Sequence, residues 1–295
     1  MTIMDKEAIE KRIAEIEYAM NAVDFWNDKL RAQEMIQEFN DLKDELLGVG
    51  KYDKGNAALT IFAGAGGQDA EDFTSMLLSM YVKYSQSKGW SVSIIHKHET
   101  DHGGYRNVTI EIEGKNAYGT LKNESGVHRL VRLSPFNANS KRHTSFAMVE
   151  VVPVFGTTKD VDIKESDLSI EFSKSSGPGG QNVNKRETAV RIVHIPTGLS
   201  AHSDSQRLQE KNREKALEIL SGKLYHKREE DKKKEAKGLA ISATVENEWG
   251  SQIRSYVVHP YKMVKDHRTG VEVRDTEKVF NGEIDEFIEA EKSLE

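Results

Sequence analysis

The period of the apolar pattern changes along this chain, and that change limits the folds open to it. Residues 5–21 place Ile9, Ile13, Ile16 and Met20 at spacings of four, three and four, which is one stripe of an amphipathic helix. Asp24-Phe25-Trp26-Asn27-Asp28 interrupts it. Ala32, Met35, Phe39, Leu42 and Leu46 then make a second helical stripe, ended by Gly48 and Gly50. Two helices so joined predict an antiparallel hairpin. At about 50 residues it sits near the lower limit for folding alone. Beyond it, period-two runs at Trp90–Ile95 and Val108–Ile112, the short apolar run Leu59–Phe62 and the β-rich run Phe146–Val152 predict strands, with a helix over 68–88 among them. Strands interleaved with single helices predict α+β sheets covered on one side.

The same reading continues to the end of the chain. Val161–Phe172 predicts two strands, with Leu168, Ile170 and Phe172 alternating, before a Gly-rich loop at Ser175–Gln181. Ala189–Ile195 predicts another strand, closed by Pro196-Thr197-Gly198. Ser205–Lys237 reads as one long charged helix with Leu217, Leu220 and Leu224 buried, stopped at Gly238. Residues 251–295 supply a strand at Ile253–Val258 and a terminal helix. The expected organisation is therefore α+β and multidomain. A helical hairpin spans 1–50, a mixed α/β domain 51–160, and a separate α+β domain with the long helix 161–238. A linker covers 239–250, and 251–295 packs back on the second domain.

Composition removes whole classes of chemistry. The chain has no cysteine, so disulfides, thiolate metal sites and cysteine nucleophiles are absent together, as suits a reducing cytosol. The ten histidines show no H-E-x-x-H spacing, and no metal or cofactor is expected. No apolar run approaches bilayer length, and the start has no apolar segment of the secretory kind. Net charge is −6, yet it is unevenly spread. Residues 1–50 hold 12 acids and 6 bases, residues 185–234 hold 13 bases and 8 acids, and residues 125–142 hold Arg129, Arg132, Lys141 and Arg142 with no acid. Such a chain can present basic faces to phosphate, although each run also reads as a solvated face.

Two stretches carry most of the information. In Ser175-Ser176-Gly177-Pro178-Gly179-Gly180-Gln181, three glycines in four positions are costly in conformational entropy, and they permit positive φ and close approach to the backbone. The spacing is neither that of a phosphate loop nor that of a dinucleotide fingerprint. Read alone, the loop is a structural turn or a surface for close contact. The second stretch is Arg129-Leu130-Val131-Arg132-Leu133-Ser134-Pro135-Phe136, followed by Lys141-Arg142-His143-Thr144-Ser145-Phe146. Hydroxyls for base edges, rings for stacking and arginines for phosphate suit single-stranded RNA. A hairpin with Phe136 in its core is the alternative.

Together these stretches resemble the bacterial class I peptide chain release factors of the release factor 2 type. Gly179-Gly180-Gln181-Asn182-Val183-Asn184 resembles their GGQ motif, and Ser134-Pro135-Phe136 resembles their codon-reading loop. The resemblance implies that Gly179, Gly180 and Gln181 act in the peptidyl transferase centre of the large subunit, where water attacks the ester joining peptide to tRNA. It gives the Gln181 N–H the developing oxyanion and the Gln181 side chain the water, and it implies N5-methylation of Gln181 by a glutamine methyltransferase. On the small subunit it gives Ser134 the second base of the stop codon and stacks His143 between the second and third bases. It sets Val131 and Thr144 near the third base and Gly66 and Asp69 near the first uridine. Pro135 and Phe136 complete the reading loop. Trp249 resembles the switch residue that docks on the small subunit.

The implied activity is termination at UAA and UGA by a cytoplasmic monomer. Its partners are the ribosome, the mRNA stop codon, peptidyl-tRNA and the recycling GTPase release factor 3. The ribosome supplies the rest of the reaction site, so the chain is not a stand-alone enzyme. Two departures are visible: Asp69 stands where the family more often has Glu, and the first helical region is shorter than usual. A GGQ-type ribosome rescue factor is the competing reading, but it calls for a basic C-terminal tail, and residues 271–295 hold 9 acids and 3 bases. A non-catalytic RNA-binding regulator would have lost Gln181.

Overall fold

A computed structural model describes residues 3–20, 25, 29–46, 52–154, 163–175, 187–236 and 251–294. It divides into two compact units, residues 1–54 and 55–294. The first holds α1 (Ile3–Met20) and α2 (Lys29–Leu46), which pack on each other. Ile13, Ile16 and Ala32 of the predicted stripes are buried. Arg12 grips Glu38 of α2 at 2.8 and 3.1 Å.

The second unit is built on two antiparallel-rich sheets. Its elements in chain order are β1 (Ala57–Ala63), α3 (Gln68–Ser87), β2 (Ser91–Glu99), β3 (Tyr105–Glu113), α4 (Ala117–Leu121), β4 (Gly126–Leu133) and β5 (Arg142–Pro153). Then follow β6 (Leu168–Ser173), β7 (Ala189–His194), β8 (Ser200–Ser203), α5 (Gln209–Ala236), β9 (Gln252–Val257), β10 (Met263–Asp266), β11 (Glu272–Val273), α6 (Thr276–Phe280) and α7 (Asp285–Glu291). The larger sheet runs β11-β10-β9-β4-β5-β1-β3-β2, and the smaller runs β6-β7-β8. β4 and β9 are parallel, while the other neighbouring strands are antiparallel. α3 buries Phe73, Leu77, Met80 and Tyr84 and packs on β1, β3 and β5; Phe73 also meets the Tyr256 ring of β9 edge to face.

α5 packs on the small sheet and on β5 of the large one. Gly222 is mid-helix, where glycine normally costs about 1 kcal/mol. A Cβ there would collide with the Pro153 carbonyl oxygen, so the glycine lets helix and strand approach closely. Lys223 reaches Glu150 of β5 at 2.7 Å, and Lys215 reaches Glu111 of β3.

Several sequence-based boundaries need correction. α5 begins at Gln209 rather than Ser205, because Ser200–Ser203 first forms β8. Its buried positions are Ala216, Ile219, Leu220 and Leu224, with Leu217 only half-buried. Of the two strands expected in Val161–Phe172, the described residues contain one, β6, preceded by a 3₁₀ turn at Glu165–Asp167. The segment after residue 250 holds three strands and two α-helices rather than one of each. β8, β10 and β11 have four, four and two residues, too few for a period to register. The linker 239–250 lies outside the described residues.

A buried ionic cluster ties residues 251–294 to the 3₁₀ turn Lys122–Glu124 that leads into β4. Arg254 of β9 holds both oxygens of Glu124 at 2.6 and 2.9 Å, and it also reaches Asp266 and Glu291. Arg268 reaches Asp266 at 2.9 Å and shares Glu291. Two arginines therefore face three carboxyl groups. Burial, and then the neighbouring Glu124, push the Glu291 carboxyl up to about 8. The folded chain holds a proton there that the unfolded chain, with a carboxyl near 4.5, has released. Stability from this group therefore falls as pH rises from about 4.5 to 8. His128 works oppositely: burial holds it down to about 4 against an ordinary 6.5, so its contribution is lost as pH falls below 6.5. Between pH 6.5 and 8 the Glu291 effect stands apart. The melting temperature of Glu291→Gln is expected to decline less steeply across that window than that of the parent. Identical slopes in calorimetry would contradict the assignment.

Candidate functional site

The site grows from the β4–β5 hairpin. Register pairs Val131 with Thr144, Arg132 with His143 and Leu133 with Arg142. Residues 134–141 close the end, with the Ser134 N–H donating to the Lys141 carbonyl at 3.0 Å. Within that loop Pro135 takes the second place of a turn from Ser134 to Asn137, the position its fixed φ favours. The Phe136 N–H donates to the Ser134 hydroxyl oxygen at 3.2 Å. This turn lifts the Phe136 ring away from the core, leaving it 40% exposed. The alternative of a core Phe136 is therefore overturned.

The N-terminus of α3 lies against the same hairpin. The Gly64 N–H donates to the Phe146 carbonyl at 2.8 Å, and the Phe146 N–H donates to the Ala65 carbonyl at 2.9 Å. Gly66 has φ 137°, and a Cβ there would sit 2.7 Å from the Ser145 Cβ. Only glycine satisfies both that backbone conformation and that approach. The close contact delivers Asp69, in the first turn of α3, to the base of the reading loop.

Asp69 is the hub. It is 4% exposed and receives the Ser134 hydroxyl at 2.7 Å, Nδ1 of His143 at 2.8 Å and Nη2 of Arg132 at 3.1 Å. Burial alone would raise its pKa, but the hydrogen bonds from Ser134, His143 and Arg132 outweigh burial and hold it below the ordinary value. An ionised carboxylate only accepts, so His143 donates through Nδ1–H. Its Nε2 then faces the Asn137 amide nitrogen at 3.3 Å, so one neutral tautomer satisfies both contacts. Pro135, Phe136, Lys141, Arg142 and Thr144 form the exposed rim.

The strands on either side of the Gly-rich stretch belong to the other sheet, where β6 and β7 pair up to Ser173 and Ala189. Asn212 of α5 donates to the Thr188 carbonyl at 2.8 Å, and Gln209 donates to the Glu187 carbonyl at 2.7 Å. The returning end is thereby anchored to the long helix. Gly179, Gly180 and Gln181 themselves, and Trp249, lie outside the described residues.

Similarity to known proteins covers both regions. Residues 40–149 match the PCRF domain, and residues 157–268 match the RF-1 domain. Peptide chain release factor 2 of Thermotoga petrophila is 47% identical over 270 residues, covering 88% of this chain and 73% of that protein. The chain belongs to the peptide chain release factor 2 family. The release factor 2 of Clostridium perfringens is 40% identical over an alignment of 334 positions, covering 97% of this chain and 92% of the relative. That alignment is longer than the 295 residues present here, so the relative holds segments that this release factor does not. The solved structure of RF2 of Thermus thermophilus superposes with a TM-score of 0.75 at 34% identity, covering 96% of this chain and 94% of that one.

The geometry gathers Gly66, Asp69, Val131, Ser134, Pro135, Phe136, His143 and Thr144 of this release factor at one end of the large sheet. It also adds residues that sequence reasoning passed over. Arg132, read as a phosphate contact, is instead half-buried in ion pairs with Asp69 and Asp72, the latter at 2.6 Å. Asn137 was hidden because nothing in its spacing marks it, yet it orients His143. Ser134 is 4% exposed, with its hydroxyl donating to Asp69 and accepting from Phe136, so in this form its hydrogen-bonding capacity is spent inside the loop.

Proposed function

We propose that this release factor reads UAA and UGA in the small-subunit decoding centre through the loop at 134–136 and the Asp69–His143 network. Residues 179–181 then trigger hydrolysis of peptidyl-tRNA in the large subunit. The observation that carries this reading is the Asp69 hub. It fixes the backbone turn of Ser134-Pro135-Phe136 and the ring of His143 in one preorganised unit, with aromatic and basic side chains outward. Preorganised single-strand readers stack bases on rings and hold phosphate with cations. Ser134, once released from Asp69, can donate to or accept from either purine. Val131 and Thr144, paired across the two strands, bound the place of the third base. Gly66 offers backbone to the first.

In the chemical step water attacks the ester carbonyl carbon, the carbonyl oxygen gains negative charge, and the ribose oxygen leaves with a proton. A backbone N–H at Gln181 stabilises that charge without a titrating side chain. The protein supplies the loop and the ribosome supplies the remaining surface, so the chain is not an enzyme by itself. Cytoplasmic location, methylation of Gln181 by a glutamine methyltransferase and recycling by the GTPase release factor 3 complete the reading. A rescue factor is disfavoured because a codon-free role has no use for the built reading loop.

The test is single-turnover release on ribosomes programmed with UAA, UAG, UGA and a sense codon. Fast release is expected at UAA and UGA only. Asp69→Ala removes a charged partner of three hydrogen bonds, so kcat/KM at both codons is expected to fall roughly 10–100-fold. Efficient release at UAG by the parent, or an unchanged Asp69→Ala, would count against the proposal.

A further inference from the structure

Three side chains from distant parts of the sequence converge where the two sheets meet. His96 is on β2 of the large sheet, His202 is on β8 of the small one, and Asp204 follows β8 directly. The Asp204 N–H donates to the Ile95 carbonyl at 3.4 Å, which brings the strands together. Nδ1 of His96 then lies 3.3 Å from one Asp204 oxygen, and Nε2 of His202 lies 3.9 Å from the other. The two imidazoles meet edge to face, with centroids 4.2 Å apart. Donor atoms of all three lie within 4.8 Å of one another, and no other such cluster occurs among the described residues.

Two details distinguish this from an ordinary polar contact. Nδ1 of His96 is buried without a hydrogen bond, although Asp204 is close. Oδ1 of Asn107, which lines the same cavity of 310 Å³, is likewise buried without a partner. A tetrahedral metal with ligands at about 2.0–2.1 Å holds neighbouring donor atoms about 3.3 Å apart. The His96–Asp204 separation already has that length. The cations lining the cavity, Arg191 and Lys223, are paired with Glu171 and Glu150, so they do not leave an uncompensated positive field.

We propose that His96, His202 and Asp204 form a site for a divalent transition metal, with zinc as its ligand of test, that staples the small sheet to the large one. Two imidazoles and one carboxylate suit zinc and its neighbours, and the three protein ligands leave a fourth position facing the cavity. Calcium and magnesium require more oxygen donors than this site supplies. The ligands lie 106 and 108 residues apart from His96, so no sequence spacing could announce the site. Its occupancy would fix the sheet carrying residues 174–188 relative to the sheet carrying the reading loop.

The experiment uses the full chain without a polyhistidine tag, stripped with a chelator and then titrated with zinc by calorimetry and with cobalt(II) by visible absorption. One equivalent is expected to bind with a tetrahedral cobalt spectrum. Zinc is also expected to raise the melting temperature, because it binds the folded chain preferentially. His96→Ala and His202→Ala are each expected to weaken binding by roughly tenfold or more. His98→Ala, at an exposed neighbouring position on β2, is expected to leave binding unchanged. The volume-preserving His96→Gln and Asp204→Asn keep the test open if the alanine variants do not fold. Absence of saturable binding, or equal binding by parent and by folded His96 and His202 variants, would overturn the proposal.

Discussion

Replacing Gln181 with proline is expected to abolish peptide release while leaving ribosome binding close to that of the parent. Proline removes the backbone N–H and fixes φ in the same step. Loss of one preorganised donor at an oxyanion costs about 2.7–4 kcal/mol, or roughly 10²–10³ in rate. The fixed φ adds a misplacement of the neighbouring glycines. Gln181→Ala keeps the N–H and changes only the side chain, so it should retain more activity than Gln181→Pro. Gly179→Ala and Gly180→Ala should each lose several orders of magnitude of release rate if those positions need positive φ or close approach. Damage is expected to stay local, because the Ser173–Ala189 pairing and the Asn212 anchor hold the strands on both sides. Binding is expected to survive because Asp69, Ser134 and His143 sit on the other sheet. Single-turnover release rates and ribosome dissociation constants, measured together, decide the matter. Release by Gln181→Pro at the parental rate would remove the oxyanion role from this residue.

Local pattern revealed the parts of this fold that are long enough to show a period. α3, β2 and β3 could be read because each repeats or alternates over several residues, and β1 and β5 because each carries a run of strand-favouring apolar residues. Short strands could not. β8 and β10 exist because Ser200–Ser203 and Met263–Asp266 find partners already in place, which is tertiary context overriding a weak local signal. The candidate site was legible as a set of residues through family resemblance, but its internal wiring was not. Nothing in the sequence says that Asp69 and Ser134 bond to each other across 65 positions, or that Arg132 turns inward to Asp69. Those facts depend on Gly66 bringing α3 against Ser145, a close approach between residues far apart in sequence that a Cβ at position 66 would block. Arg254 is the extreme case: an isolated arginine in a strand reads as exposed, yet it is fully buried.

That arginine carries the largest stability prediction. The Arg254 guanidinium is 0% exposed and packs over the Phe287 ring at 4.3 Å while engaging Glu124, Asp266 and Glu291. Burial opposes its charge, but Glu124 and then Tyr256 hold its pKa well above the ordinary value. Deleting one partner of a buried ionic network costs about 3–5 kcal/mol, because the remaining charges stay desolvated without compensation. Total stability of a domain is about 5–15 kcal/mol, so Arg254→Met should consume a large share of it. A fall of about 10–15 °C in melting temperature is the expected scale. The loss should be electrostatic rather than steric. Combining Arg254→Met with Glu124→Gln removes an orphaned carboxylate and should recover part of the stability, a non-additivity typical of contacting residues. The effect should also reach the reading loop: β9 pairs with β4 along Val127–Val131, and the Val258 N–H donates to the Val131 carbonyl at 2.8 Å. Loosening β9 therefore frays the strand that presents Val131 and Arg132, so release at UAA and UGA should decline in step with stability. A parental melting temperature in Arg254→Met, or strict additivity in the double variant, would show that the cluster is not what holds residues 251–294 to the sheet.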